Sequence, residues 1–131
     1  MPLTIEDLDD DDEEVRVTNP KTGGQKGRKL AQLGAVDPLA LLELAKVAGI
    51  GAKKYAPYNY LKGFEYSSLY NAAARHLLKF WAGQDLDLPT QRYHAAMAGW
   101  HCLALTSYLL RGIGIDDRPP RLPSKKGKDR R

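Results

Sequence analysis

The sequence lacks several features that would place it in a common class. Its single cysteine, Cys102, lies in an apolar stretch, so neither an internal disulfide nor a paired-cysteine zinc site is expected. No apolar run is long enough to span a membrane, and no secretory signal pattern is present. The glycine-rich stretch near the start lacks P-loop spacing. These absences predict a cytoplasmic protein of one domain without membrane contact.

Acidic residues are scarce in the middle of the chain. Residues 15–117 carry seven acidic against thirteen basic side chains, whereas residues 1–14 hold eight acids and residues 118–131 hold seven basic residues. Runs of like charge usually stay solvated and disordered. We therefore predict an acidic disordered tail at 1–14, a folded domain at 15–117 and a basic disordered tail at 118–131. The basic tail either contacts nucleic acid or an acidic partner weakly, or is a soluble end.

The first part of the folded domain is predicted to be a loop followed by a helix. Residues 15–36 are rich in glycine, with basic residues between, which indicates a basic loop over a phosphate site or an ordinary solvated loop. Asp37-Pro38 is a good helix start. The apolar pattern that follows is wide enough for a helix buried on more than one side.

Two further helices are predicted within residues 66–112. Ser67 or Ser68 can cap the first of them. Pro89 is expected to open the second, and Gly112 to end it. No stretch alternates convincingly as a strand would. The prediction is therefore an all-α protein, a small bundle of three main helices.

The ionisable groups of these two helices suggest a site. His94 and His101 share one helical stripe, and His76 falls near the apolar face of the preceding helix. Hard divalent cations take oxygen ligands, for which the candidates are Glu43, Asp85 and Asp87. The alternative is that Glu43 is a surface residue paired with Lys46 at i+3, that the aspartates cap a helix and that the histidines are satisfied core residues.

Basic and polar residues nearby are candidates for substrate contacts. Lys53, Lys54, Arg75 and Lys79 can offset phosphate charge. Aromatic and amide side chains at 58–60 can hold a base, or the tyrosines can simply clamp a loop onto the core.

Four segments resemble a known family: NPKTGGQKGRKL at 19–30, GAKKYAPYNYLKG at 51–63, RHLLKFWAGQDLD at 75–87 and HAAMAGWHCLAL at 94–105. Together they resemble the phage-associated dATP/dGTP diphosphohydrolase family, N-terminal domain type, which is similar to the MazG-like all-α nucleotide pyrophosphohydrolases. The resemblance implies a MazG-like bundle that hydrolyses deoxypurine triphosphates to monophosphate and pyrophosphate with Mg²⁺ or Mn²⁺. It also implies a phage protein working in the host cytoplasm.

The resemblance assigns roles to numbered residues. It implies catalytic roles for His76, His94 and Asp85, and metal binding by Glu43, Asp85 and Asp87. The expected substrate-binding residues are Lys53, Lys54, Asn59, Arg75, Lys79, Trp100 and His101.

The chain departs from the family pattern in its acids. The first helix keeps a single carboxylate, Glu43, and Gln84 stands where an acid is common. The alternative function is therefore a catalytically weakened nucleotide-binding protein, or an oligomeric interaction protein of the same fold. In either case the broad apolar face at 39–50 predicts a homo-oligomer.

Overall fold

The structure, a computed structural model, describes residues 2–9 and 14–124. The chain divides into two compact units, Met1–Asp37 and Pro38–Arg131. Parts of the two predicted tails, residues 10–13 and 125–131, lie outside the described residues, as does Met1. The domain boundaries at 15 and 117 stay a prediction.

The first unit contains a β-hairpin, so the prediction of a purely all-α protein is wrong. Strands β1 (Val15–Thr18) and β2 (Gln25–Arg28) pair antiparallel, with Val17 opposite Lys26. The turn between them is built on Asn19, whose side-chain oxygen accepts hydrogen bonds from the amides of Lys21 and Thr22. The strands escaped prediction because their side chains are nearly all exposed, so no apolar alternation marks them.

The second unit is helical, as predicted. It contains α1 (Pro38–Lys54), α2 (Tyr66–Trp81) and α3 (His94–Arg111), with a 3₁₀ turn at Asn59–Lys62 between the first two. Helix α3 packs against both α1 and α2. This arrangement lets groups on one face of α3 meet side chains from both neighbours.

Two of the four predicted helix ends are correct. Helix α1 begins at Pro38, and α3 ends at Gly112, which takes a left-handed conformation with φ 65°. The N-cap of α2 is Glu65, and Ser67 instead donates from its amide to Asp117 at 2.9 Å. Helix α3 starts five residues after Pro89, at His94. The residues between Pro89 and His94 include a tight turn, which the presence of a proline did not predict.

The core between α2 and α3 centres on Tyr108, which is 1% exposed. Its ring stacks on that of Tyr66 with centroids 6.2 Å apart, and its hydroxyl donates to the Tyr60 carbonyl at 2.7 Å. Gly114 follows with φ +84°, and a Cβ there would lie 2.8 Å from Cδ2 of Tyr108. Only glycine tolerates both this backbone conformation and this close approach.

Much apolar surface stays exposed in the helical unit. Leu39 and Leu42 on α1 are 76% and 53% exposed, and Trp81 at the end of α2 is 85% exposed. Burial of α1 on more than one side is therefore not found within a single copy of the chain. The predicted homo-oligomer would cover such residues, and it stays a prediction. No described helix combines the length and apolarity that crossing a membrane requires.

Candidate active site

Three side chains from two helices and the loop between them converge on one point. His76 comes from α2, His94 opens α3, and Asp87 comes from the connecting loop. One potential ligand atom of each lies within 4.8 Å of the others. His94 is fully buried and His76 is 9% exposed. Among the described residues this is the one group of three histidine, cysteine or acidic side chains that meets this criterion.

Hydrogen bonds define which nitrogens carry protons. The ring nitrogens Nδ1 of His76 and His94 are 2.9 Å apart. The Gln84 side-chain oxygen lies 2.7 Å from Nε2 of His94 and accepts its hydrogen. Nδ1 of neutral His94 is therefore an acceptor, to which His76 donates. Gln84 thus holds the tautomer of His94 that directs a lone pair into the cluster.

The carboxylate of the cluster is fixed by its own turn. Oδ2 of Asp87 accepts hydrogen bonds from the Thr90 hydroxyl at 2.7 Å and from the Thr90 amide at 3.2 Å. Gln91, with φ 58°, closes the turn by donating from its amide to the Asp87 carbonyl. The carboxylate consequently faces the histidines in one orientation.

The third histidine lies beside the first. The rings of His76 and His101 stack with centroids 6.0 Å apart. Nδ1 of His101 donates to the Met97 carbonyl at 2.7 Å. In the neutral ring this leaves Nε2 of His101 as a proton acceptor next to the cluster.

The surroundings of the cluster lower the pKa values of both His76 and Asp87. Burial, with the charges of His94 and His101, lowers the pKa of His76 below its ordinary 6.5, so its ring is neutral at pH 7. Burial of Asp87 acts to raise its pKa, but the Thr90 hydrogen bonds and the two neighbouring histidines outweigh this effect and lower it. A neutral imidazole and an ionised carboxylate are the forms that ligate metals.

Glu43 takes part in an ion pair that joins α1 to the loop before α3. Its Oε1 accepts from Arg92 at 3.0 Å, and Oε2 lies 3.6 Å from Nζ of Lys46. Neither Glu43 nor Asp85 belongs to the histidine cluster. The exposed Asp85 contributes its backbone carbonyl, which accepts from the amide of His94.

The predicted substrate-binding residues fall into two places. Arg75 and Lys79 are exposed on α2, on either side of His76 in sequence, and His101 borders the cluster. The others lie toward the end of α1: Lys53 and Lys54 are exposed, and Lys54 sits 5.3 Å from the centre of the Tyr55 ring. Asn59 and Trp100 line a cavity of about 140 Å³ beside α1.

Sequence reasoning passed over three residues of this region. Thr90 orients Asp87, and its spacing of three residues after an aspartate is a recognisable turn signal. Sequence reasoning described Gln84 only as a replacement for an acid that is common at this position. In the structure Gln84 hydrogen-bonds to His94 and fixes its tautomer. Arg92 pairs with a residue 49 positions away, for which the sequence contains no signal.

Stability is expected to fall as the pH drops below about 6.5, the ordinary pKa of a histidine. Because the pKa of His76 is lower in the folded protein than its ordinary 6.5, the unfolded chain takes up a proton in this window that the folded chain does not. The contribution of His76 is fully present above pH 6.5 and is lost toward its folded pKa. Urea denaturation with a chelator present measures the free energy of unfolding. His76→Gln should lose less stability over the same range, and equal losses would contradict the assignment.

A family model described as "dATP/dGTP diphosphohydrolase, N-terminal" matches residues 20–118. The chain belongs to this family. The match includes α1, α2, α3 and all three cluster residues.

A curated relative carries the same description. The chain is 35% identical over 77 residues to a protein of Salmonella phage PMBT28 named "dATP/dGTP diphosphohydrolase". The aligned part covers 59% of this chain and 26% of the relative, so the chain spans about a quarter of the relative's length. No solved structure matches the chain. The MazG-like arrangement therefore stays a prediction.

Proposed function

We propose that the chain is a divalent-cation-dependent nucleotide diphosphohydrolase acting on dATP and dGTP. The observation that carries the proposal is the convergence of His76, His94 and Asp87, with one potential ligand atom of each within 4.8 Å of the others. The printed activity of the family and of the phage relative supports the reaction class. In this reaction a water oxygen bonds to the α-phosphorus, the bridging bond to the β-phosphate breaks, and pyrophosphate leaves with the monophosphate as second product.

The donor set suits a cation that accepts both imidazole nitrogen and carboxylate oxygen. The two Nδ1 atoms are 2.9 Å apart. They would both ligate one ion with the proton of His76 carried on Nε2 in place of Nδ1, which replaces the hydrogen bond between the two rings. Mg²⁺ takes mainly oxygen ligands, whereas transition metals also accept imidazole. Of the two ions that the family resemblance implies, the residues therefore fit Mn²⁺ better than Mg²⁺. When bound, such an ion polarises phosphoryl oxygens and lowers the pKa of a ligated water.

The protein groups around the cluster have complementary tasks in this proposal. His76, His94 and Asp87 hold the cation, and Gln84 keeps Nδ1 of His94 unprotonated. Nε2 of His101 accepts the proton that the attacking water loses. The cationic side chains of Arg75 and Lys79, exposed on α2, offset charge on the triphosphate.

A nucleotide panel tests the proposal. Purified protein is incubated with each of the common ribo- and deoxynucleoside triphosphates, with Mn²⁺, with Mg²⁺ and with a chelator, and the products are separated by ion-exchange chromatography. We expect monophosphate and pyrophosphate from dATP and dGTP, faster with Mn²⁺ than with Mg²⁺, and none with the chelator. Release of orthophosphate, or turnover that survives the chelator, would refute the proposed reaction.

A second candidate is a nucleotide-binding module without turnover. The observation that favours it is the ion pair of Glu43 with Arg92, which leaves Asp87 as the sole carboxylate of the cluster. A divalent cation that is held by fewer carboxylates is bound less tightly, because less negative charge offsets its own charge. A rise in melting temperature with nucleotide and Mn²⁺, without product formation in the same panel, would establish this alternative.

A further inference from the structure

No step of the proposed hydrolysis uses the cavity beside the C-terminal half of α1. Its volume is about 140 Å³, and its walls combine aromatic with small side chains. We propose that this cavity binds the purine base of the nucleotide, an inference that rests on the proposed function. The residues that carry the argument are Gly51, Tyr55, Tyr58, Asn59, Tyr60 and Trp100.

The aromatic walls suit a flat ring. Tyr60 and Trp100 meet edge to face, with centroids 4.8 Å apart and planes at 74°. Tyr55 and Tyr58 are 64% and 71% exposed, although each lines the cavity. Bases bind proteins by stacking on such aromatic faces, because every base presents a π-face.

Asn59 supplies the polar recognition group. The residue is half-buried, and within the described part of the chain its side-chain amide makes no hydrogen bond. A carboxamide offers one acceptor and two donors, and asparagine pairs in this way with the edge of adenine. Tyr58, immediately before it, has φ 61°, a conformation that tyrosine rarely adopts. Backbone strain of this kind is retained mainly at functional sites.

Gly51 lines the cavity and adds no side chain to it. It lies inside α1, where its φ is not positive and a Cβ would meet nothing within 4 Å. Glycine weakens a helix relative to alanine, so neither backbone strain nor packing explains its presence here. Gly49, two residues earlier, is equally unobstructed but does not line the cavity. The two glycines therefore form a matched pair.

Helix α3 carries residues of both the cavity and the histidine cluster. Trp100 and His101 are neighbours on α3, one on the cavity wall and the other beside the cluster. On α3, Trp100 lies about 9 Å along the helix axis from His94 of the cluster, at a rise of about 1.5 Å per residue. A nucleotide with its base in the cavity can extend its phosphates along α3 toward the cluster.

Binding of nucleosides tests this assignment separately from hydrolysis, because nucleosides carry no phosphate. Deoxyadenosine, deoxyguanosine, deoxycytidine and thymidine are titrated into ¹⁵N-labelled protein, and the Trp100 indole and Asn59 amide signals are followed by NMR. We expect both purine nucleosides to shift these signals and to bind more tightly than the pyrimidines. Gly51→Leu should weaken purine binding by about tenfold or more, whereas Gly49→Leu should change it by less than about twofold.

Specific results would overturn the assignment. Purine nucleosides that shift neither signal would do so, as would equal losses of affinity from Gly49→Leu and Gly51→Leu. If Gly51→Leu fails to fold, Gly51→Ala replaces it, paired with Gly49→Ala, and should weaken purine binding selectively. A protein that hydrolyses dATP while binding nucleosides independently of Gly51 refutes this cavity as the base site and leaves the proposed function standing.

Discussion

Asp87→Asn is expected to lower kcat/KM for dATP on the order of 100- to 1,000-fold. Asparagine keeps the size of the side chain and an oxygen for the Thr90 hydrogen bonds, but it removes the negative charge of the cluster. Charge stabilisation by a bound cation contributes several kcal/mol to such reactions. At about 1.36 kcal/mol for each tenfold change in rate, loss of the cation's main anionic ligand gives this range.

The companion variant Asp85→Asn separates the assignment made from the sequence from the one made from the structure. Sequence reasoning gave Asp85 both a catalytic and a metal-binding role, whereas the structure groups Asp87 with the histidines and leaves Asp85 exposed. We expect Asp85→Asn to reduce kcat/KM by less than about tenfold. Pyrophosphate release and the Mn²⁺ dependence of the melting temperature are measured for both variants. A larger reduction of kcat/KM by Asp85→Asn than by Asp87→Asn would show that the cluster of His76, His94 and Asp87 is not the active site.

The helical stripe was predictable, and the identity of its carboxylate was not. Spacing placed His94 and His101 on one face of a helix, and both rings indeed lie within 6.0 Å of His76. The choice between Asp85 and Asp87 depends on the turn between α2 and α3. That turn is fixed by the Thr90 hydrogen bonds and by a left-handed Gln91, neither of which follows from periodicity.

The sequence contains a signal for one of the two ion pairs of Glu43. Its pairing with Lys46 follows from the i+3 spacing, whereas its pairing with Arg92 follows from no helical spacing. As the one acid on α1, it was the natural choice for an inward-facing metal ligand. Its partner Arg92 comes from the loop before α3, and the two meet because α1 packs on α3. The hairpin was not predicted for a related reason. Its strands have mostly exposed side chains, so they lack the alternation of apolar and polar residues that a buried face imposes.

The largest expected loss of stability follows from Tyr108→Ala, at about 3–5 kcal/mol, the range for truncating a buried aromatic side chain. Tyr108 is 1% exposed and fills the space between Tyr66 and the backbone at Gly114. Its removal leaves a cavity there and also leaves the Tyr60 carbonyl without its hydroxyl donor. Typical single domains are stable by about 5–15 kcal/mol, so this variant is expected to be partly unfolded at 37 °C or below.

Two further variants separate packing from hydrogen bonding at this position. Tyr108→Phe keeps the ring and loses the bond to Tyr60, which should cost about 1–2 kcal/mol. Tyr70→Ala removes an aromatic ring on α2 that is 66% exposed, and should lower the free energy of unfolding by less than about 1 kcal/mol. Urea denaturation followed by circular dichroism gives each free energy, with an unchanged slope against denaturant if folding stays two-state. Equal losses from Tyr70→Ala and Tyr108→Ala would show that the α2–α3 core does not centre on Tyr108.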